Sequence, residues 1–144
     1  MKIDAIKNGI VLDHITAGRS MEIYRLLNLG ALDCSVAIIK NVPSKQMGKK
    51  DIIKISDELD LNLDVLGYVD PGITVNYIKD GVLADKKHPE LPERIVNVLK
   101  CKNPRCITSV EQEIDHIFKL TERENKVYRC IYCESKAKSE GRSS

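Results

Sequence analysis

Apolar positions in the first two-thirds of the chain alternate between two rhythms. In GIVLDHITAG, at 9–18, Val11, Ile15 and their neighbours alternate in short stretches, which marks a strand candidate. In SMEIYRLLNLG, Met21, Ile23, Tyr24, Leu26 and Leu27 fall close to a helical stripe, and Gly30 suits the left-handed residue that ends a helix. CSVAIIK, at 34–40, is a β-branched run of the kind buried within a sheet. After the loop NVPSKQMG, KKDIIKIS reads as another strand. Ser56 or Asp57 is expected to cap DELDLNLDVLGYV, which is helical at least around Leu63, Leu66 and Tyr68. PGITVNYI and KDGVLADK form two strands about a Lys79-Asp80-Gly81 turn. The order is strand, helix, strand, strand, helix, strand, with one strand added. That is the α+β class and a ferredoxin-like α/β sandwich, an antiparallel sheet with both helices on one face.

The rhythm changes at HPELPERI, where Pro89 and Pro92 deny a helix and predict an extended connector. Beyond it only short strands are expected. RIVNVLKC is one, and EIDHIFKLTE and KVYRCIYC form a hairpin about Arg123-Glu124-Asn125. The chain therefore divides into residues 1–94 and a small all-β domain at 95–144, of which 136–144 reads as a disordered polar tail. Composition shifts at the same point. Residues 1–94 hold 13 basic and 14 acidic side chains and one cysteine, whereas 95–144 hold 10 basic, 7 acidic and four cysteines.

Fifty residues with one phenylalanine and two tyrosines cannot bury a core of their own and need a staple. It is visible in CKNPRC and CIYC. Cys101 and Cys106 are separated by four residues, Cys130 and Cys133 by two, and the pairs by 23. Each short spacing lets two thiolates of one turn reach adjacent corners of a tetrahedron, and a hairpin brings the second turn opposite the first. One structural Zn2+ held by Cys101, Cys106, Cys130 and Cys133 is the expected occupant, with no open coordination position. Two disulfides and an iron–sulfur centre are the alternatives at this stage. His116, between the pairs, is expected mid-strand and not as a ligand. Cys34 reads as a small buried hydrophobe.

Charge and composition narrow the function. The formal charge of +2 over 144 residues, with 4% aromatic residues, is too balanced for a chain that coats itself in nucleic acid. Four thiolates and one divalent ion bring it to about zero. No apolar run approaches about 18 residues and the first residues show no signal-peptide pattern, so no membrane contact is expected. Five cysteines, an odd number, argue against a secreted disulfide framework; a cytoplasmic chain is expected.

No Walker loop, Rossmann fingerprint, nucleophile elbow or HExxH is present. Asp13 and His14 are neighbours on a presumed strand, so simple alternation sends them to opposite faces. Lys50 and Lys54, four apart on a strand, share a face that suits a phosphate chain or simply water.

These stretches together resemble one family, the regulatory chain of aspartate carbamoyltransferase, an enzyme of pyrimidine biosynthesis. The resemblance rests on AIKNGIVLDHI, NVPSKQMGKKDIIKI, TVNYI and LPERIVNVLKC, followed by CKNPRC and CIYC, in that order and spacing. It implies a chain without catalytic activity, an N-terminal domain that binds nucleoside triphosphate effectors (CTP, ATP and, as a further candidate, UTP), and a zinc domain that grips the catalytic chain and joins catalytic trimers. Matched motif by motif, the implied nucleotide site comprises Asp4, Ala5, Ile6, Val11, Asp13, His14, Lys54, Asn76, Ile78, Leu83 and Lys86, with Lys50 as a neighbour able to reach the phosphate tail or a second nucleotide. The implied homodimer forms through the allosteric domain, with CSVAIIK as the candidate face. Two departures stand out: Gly81 where relatives carry a bulky aromatic, and Ser135 where they can place a lysine. A zinc-ribbon binder of nucleic acid is the alternative reading.

Overall fold

The computed structural model describes residues 7–137. The chain divides into two compact units, Met1–Glu90 and Leu91–Ser144.

The first unit runs β1 (Gly9–Thr16), α1 (Ser20–Leu26), a short 3-10 turn (Leu29–Ala31), β2 (Val36–Ser44), β3 (Gly48–Ile55), α2 (Leu63–Val69), β4 (Thr74–Lys79) and β5 (Val82–Lys87). Its sheet has the order β2-β3-β1-β4-β5, every neighbouring pair antiparallel. The two crossovers each skip one strand. This is the split βαβ arrangement with β5 added at one edge. Alternation decides which face is covered: Ile10, Leu12, Ile15, Ile53, Ile55 and Val75 are buried, together with Ile23 of α1 and Val65, Leu66 and Val69 of α2. The opposite face carries Val11, Asp13, Lys50, Lys54 and Asn76, all half-buried.

The spacing of buried residues on β1, at 10, 12 and 15, cannot be met by strict alternation. A bulge between Leu12 and Ile15 absorbs the extra residue, with His14 in the left-handed region at φ 58°. Neither Asp13 nor His14 joins the buried side, which corrects the expectation that they point to opposite faces. A second bulge, between Ile39 and Val42 of β2, places Asn41 at φ 59°. Both bulges flank Asp51. This fully buried carboxylate accepts from Ser20 Oγ (2.7 Å), Gly18 N–H (3.1 Å), Ser20 N–H (3.4 Å) and Asn41 N–H (3.0 Å). Burial raises its pKa, but these four donors outweigh that and hold it below the ordinary carboxylate value.

Several local expectations are corrected. Asn28, not Gly30, takes the left-handed position after α1, at φ 54°. Asparagine tolerates that conformation, and Gly30 instead sits where a Cβ would lie 2.8 Å from Tyr24 Oη. α2 is capped by Asn62, whose Oδ1 accepts from Asp64 and Val65 N–H, not by Ser56 or Asp57. β2 continues through Pro43 to Ser44, which an edge strand permits because one side needs no ladder donors. As an edge strand it is half-buried and not the enclosed strand its composition suggests. The turn between β4 and β5 is as expected: Asp80 (φ 53°) and Gly81 (φ 80°) form a two-residue hairpin loop.

The second unit contains β6 (Arg94–Val96), β7 (Ile117–Glu122) and β8 (Val127–Cys130) in one antiparallel sheet, order β6-β7-β8. It also has one helical turn, α3 (Ile107–Val110), where only strands were expected. Ile95, Phe118 and Tyr128 are its buried large side chains, and Tyr128 Oη donates to Pro92 O at 2.6 Å. Lys136 and Ala137, assigned by composition to a disordered tail, pair with β8. The remaining tail positions, 138–144, lie outside the described residues.

Candidate functional sites

The metal centre is built from two loops and a hairpin. Cys101 and Cys106 bracket the turn that leads into α3, while Cys130 ends β8 and Cys133 lies in the turn after it. All four sulfurs lie within 4.8 Å of one another. Cys101 Sγ is 3.5 Å from Cys133 Sγ, and Cys106 Sγ is 3.7 Å from Cys130 Sγ. These distances exclude covalent S–S bonds, which are about 2.05 Å long. They match instead the edge of a tetrahedron of thiolates about 2.3 Å from a central ion, which is roughly 3.8 Å. The donor set and its geometry therefore fit one tetrahedral metal ion, and the four cysteines can hold it.

The thiols are unequal before any ion binds. Burial pushes Cys101 up to about 12 and raises Cys130 as well. Cys133 is drawn down to about 6, first by the Ser135 hydroxyl 3.3 Å from its sulfur. A cation at the centre of the cluster is what makes four thiolates tolerable. Thr108 Oγ1 donates to Cys106 Sγ at 3.1 Å, and Cys130 N–H donates to Ser135 O at 2.9 Å. Sequence reasoning missed Thr108 and gave Ser135 no part here; hydroxyl residues two positions beyond a ligand cysteine are the signal that could have found both. His116 precedes β7 instead of lying within a strand, and its Nδ1 accepts from Cys101 N–H at 3.1 Å. Cys34 is half-buried, which corrects the expectation of a buried residue, and it is not one of the four clustered cysteines.

The second candidate site is the open face of the five-stranded sheet. Register places Lys54 beside Val11, Val11 beside Asn76, and Asn76 beside Lys86. These four residues form one row across β3, β1, β4 and β5, and Asn76 Nδ2 donates to Val11 O at 3.3 Å. Ile78 pairs with both Gly9 and Leu83, one step further along the same strands. At the other end of β1, Lys50 Nζ lies 2.9 Å from Asp13 Oδ1, and His14 Nδ1 lies 3.1 Å from Thr74 Oγ1. Burial raises the Asp13 pKa, but Lys50, the His14 N–H and their charges hold it below the ordinary value. Nine residues singled out from the sequence — Val11, Asp13, His14, Lys50, Lys54, Asn76, Ile78, Leu83 and Lys86 — are thus carried on neighbouring strands of one sheet. Asp4, Ala5 and Ile6 lie outside the described residues. The chain entering β1 is tied to the β4–β5 turn, where Gly81 N–H donates to Lys7 O at 2.8 Å and Asp80 N–H to Asn8 Oδ1 at 3.0 Å.

A family model for the allosteric domain of the aspartate carbamoyltransferase regulatory chain matches residues 1–90, and one for the metal-binding domain of the same chain matches residues 93–141. Among curated relatives, the aspartate carbamoyltransferase regulatory chain of Clostridium tetani is 48% identical over 135 residues, 93% of this chain and 94% of that one. That of Clostridium acetobutylicum is 49% identical over 134 residues, 93% and 92% of the two chains. That of Bifidobacterium longum is 44% identical over 138 residues, 96% and 99%. No helix among the described residues is long and apolar enough to cross a membrane. The cysteine tetrahedron, the sheet and these full-length matches agree, and the chain belongs to the family of aspartate carbamoyltransferase regulatory chains, non-catalytic subunits with an allosteric and a metal-binding domain.

Proposed function

We propose that the open sheet face binds nucleoside triphosphate effectors and that this chain couples their binding to a partner catalytic chain. The observation that carries the reading is the row Lys54–Val11–Asn76–Lys86, set side by side by strand register. Two ammonium groups flank an amide and an aliphatic side chain. Adjacent strands lie about 4.8 Å apart, so the two lysines are separated by roughly 14 Å of backbone, within reach of one extended ligand. Lys54 and Lys86 meet the phosphates, with His14 and Lys50 beside them. Asp13 accepts from ribose hydroxyls, and Ile78 and Leu83, with the backbone of Ala5 and Ile6, hold and read the base. Gly81 presents no side chain to that base, so contacts there come from backbone alone. An effector shifts the partner's activity only by its different affinity for two quaternary states.

The ion is Zn2+. Four thiolates in a closed tetrahedron are its usual structural site, and it supplies charge compensation and a fixed cross-link between two loops. The residues themselves do the rest: Cys101, Cys106, Cys130 and Cys133 bind, and Thr108 and Ser135 hydroxyls stabilise their thiolates. Around the cluster, Ile107, Val110, Ile131 and Tyr132 are exposed, an apolar surface suited to the catalytic chain. Half-buried Val36, Ala37, Ile38 and Ile39 on the edge strand β2 suit a homodimer through the allosteric domain. A cytoplasmic location accords with reduced thiolates.

The test is calorimetric titration of the purified full chain with CTP and ATP, followed by pull-down of the catalytic chain with and without a zinc chelator. Nucleotide binding and chelator-sensitive capture are expected. A chain that binds neither nucleotide, or captures its partner equally well without metal, contradicts the reading.

A further inference from the structure

Both cysteine loops hang from one dipeptide. His116 Nδ1 accepts the N–H of Cys101 at 3.1 Å, and the next carbonyl, that of Ile117, accepts the N–H of Ile131 at 3.0 Å, between Cys130 and Cys133. The dipeptide is itself clasped from the other side. Asn97, at φ 57°, donates its N–H to His116 O (2.7 Å) and accepts the His116 N–H on its Oδ1 (2.9 Å). Its remaining Nδ2 donates to Asp115 Oδ1 at 3.0 Å. The result is a chain of hydrogen bonds, Asp115–Asn97–His116–Cys101, that ends on a metal-ligand residue.

We propose that His116, held by Asn97, is a positioning residue for the metal centre and fixes the Cys101 corner of the tetrahedron. The inference rests on the metal reading above. The imidazole Nδ1 lone pair is committed to the Cys101 peptide, so the ring does not compete for the ion. The neutral ring then carries its proton on Nε2. Fixing the Cys101 N–H limits rotation of that residue's backbone, and hence the excursions of its sulfur from its corner. Metal ligands held this way bind more tightly because less motion is lost on binding, and losing such a partner typically weakens a site about 10–100-fold. Asparagine at 116 could restore the interaction, since its Oδ1 stands near the place of Nδ1.

The experiment uses the full chain loaded with zinc, and follows transfer of the ion to a chromophoric chelator. Cobalt-substituted protein is followed by absorption. For wild-type protein the cobalt spectrum is expected to show four thiolate ligands. His116→Leu is expected to release zinc roughly tenfold faster or more, and His116→Asn to recover most of the loss. Should His116→Leu fail to fold, Asn97→Gly, which accepts the left-handed backbone, keeps the ring and is expected to speed release in the same direction. Equal release rates in the wild-type protein and in these variants overturn the proposal, as does a cobalt spectrum with a nitrogen ligand. A wild-type chain that binds neither zinc nor cobalt overturns the metal reading and this one with it.

Discussion

Lys50 Nζ lies 2.9 Å from Asp13 Oδ1, an ion pair that ties β3 to the bulge of β1 on the open face of the sheet. Both side chains are mostly shielded from water, so the pair is screened less than a surface contact. Lys50→Met is expected to raise the Asp13 pKa toward the ordinary value, read by carbon NMR titration of the carboxyl. The sign follows from the groups around it: burial already raises this pKa, and removing the ammonium leaves the His14 N–H and ring as the groups that lower it. An unchanged Asp13 midpoint would contradict the pairing.

Asp51 is expected to matter more for stability than any charge on the open face. Its four donors come from three segments: the turn before α1, the first residue of α1 and the bulge of β2. Asp51→Ala leaves buried N–H and O–H groups unsatisfied and should cost about 2–3 kcal/mol in denaturant unfolding. Because its folded pKa is depressed, the contribution is present above the unfolded value of about 3.9 and is lost as pH falls through the lower folded value. Acid should therefore narrow the difference between variant and wild type. A difference that persists unchanged to low pH would contradict the account.

Gly67 is expected to refuse alanine despite lying in a helix. A Cβ there would meet the Glu90 carbonyl oxygen at 1.8 Å and its carbon at 2.6 Å, both backbone atoms. Helix propensity favours alanine by about 1 kcal/mol, yet relieving this overlap requires α2 and the chain at Glu90 to separate. Overpacking costs of about 1–3 kcal/mol or more outweigh that gain. Thermal unfolding should show Gly67→Ala less stable than wild type, and a more stable variant would refute the close approach.

Chelation is expected to unfold the second unit and spare the first. Ile95, Phe118 and Tyr128 are its buried large side chains, too few to hold the hairpin without the ion. Hydrogen exchange of the full chain after zinc removal should show lost protection over β6–β8 and retained protection over β1–β4. Retained protection at Phe118 and Tyr128 would contradict the coupling.

What could be read from the sequence follows from how local each determinant is. The Asp80-Gly81 hairpin was legible because both residues accept left-handed backbone, and the cysteine spacing because loop length alone brings sulfurs together. Short alternation in GIVLDHITAG marks the strand, but the bulge at His14 answers to the burial of Leu12 and Ile15, a long-range requirement. The cap of α2 is not legible locally because Ser56, Asp57 and Asn62 are all competent caps; only packing of Val65, Leu66 and Val69 selects the last. α3, four residues long, has no period to detect. His116 looked like an ordinary strand residue because its partner is a peptide N–H 15 positions away.

In the proposed function, the lysine-flanked row on the open sheet face holds an effector's phosphates. Calorimetric titration of the full chain with CTP, comparing wild type with Lys54→Ala, tests it most directly. Loss of one charge-assisted contact worth about 1.5 kcal/mol predicts affinity weakened roughly tenfold or more, with the fold unchanged by circular dichroism. Equal CTP affinity in the two proteins would contradict it.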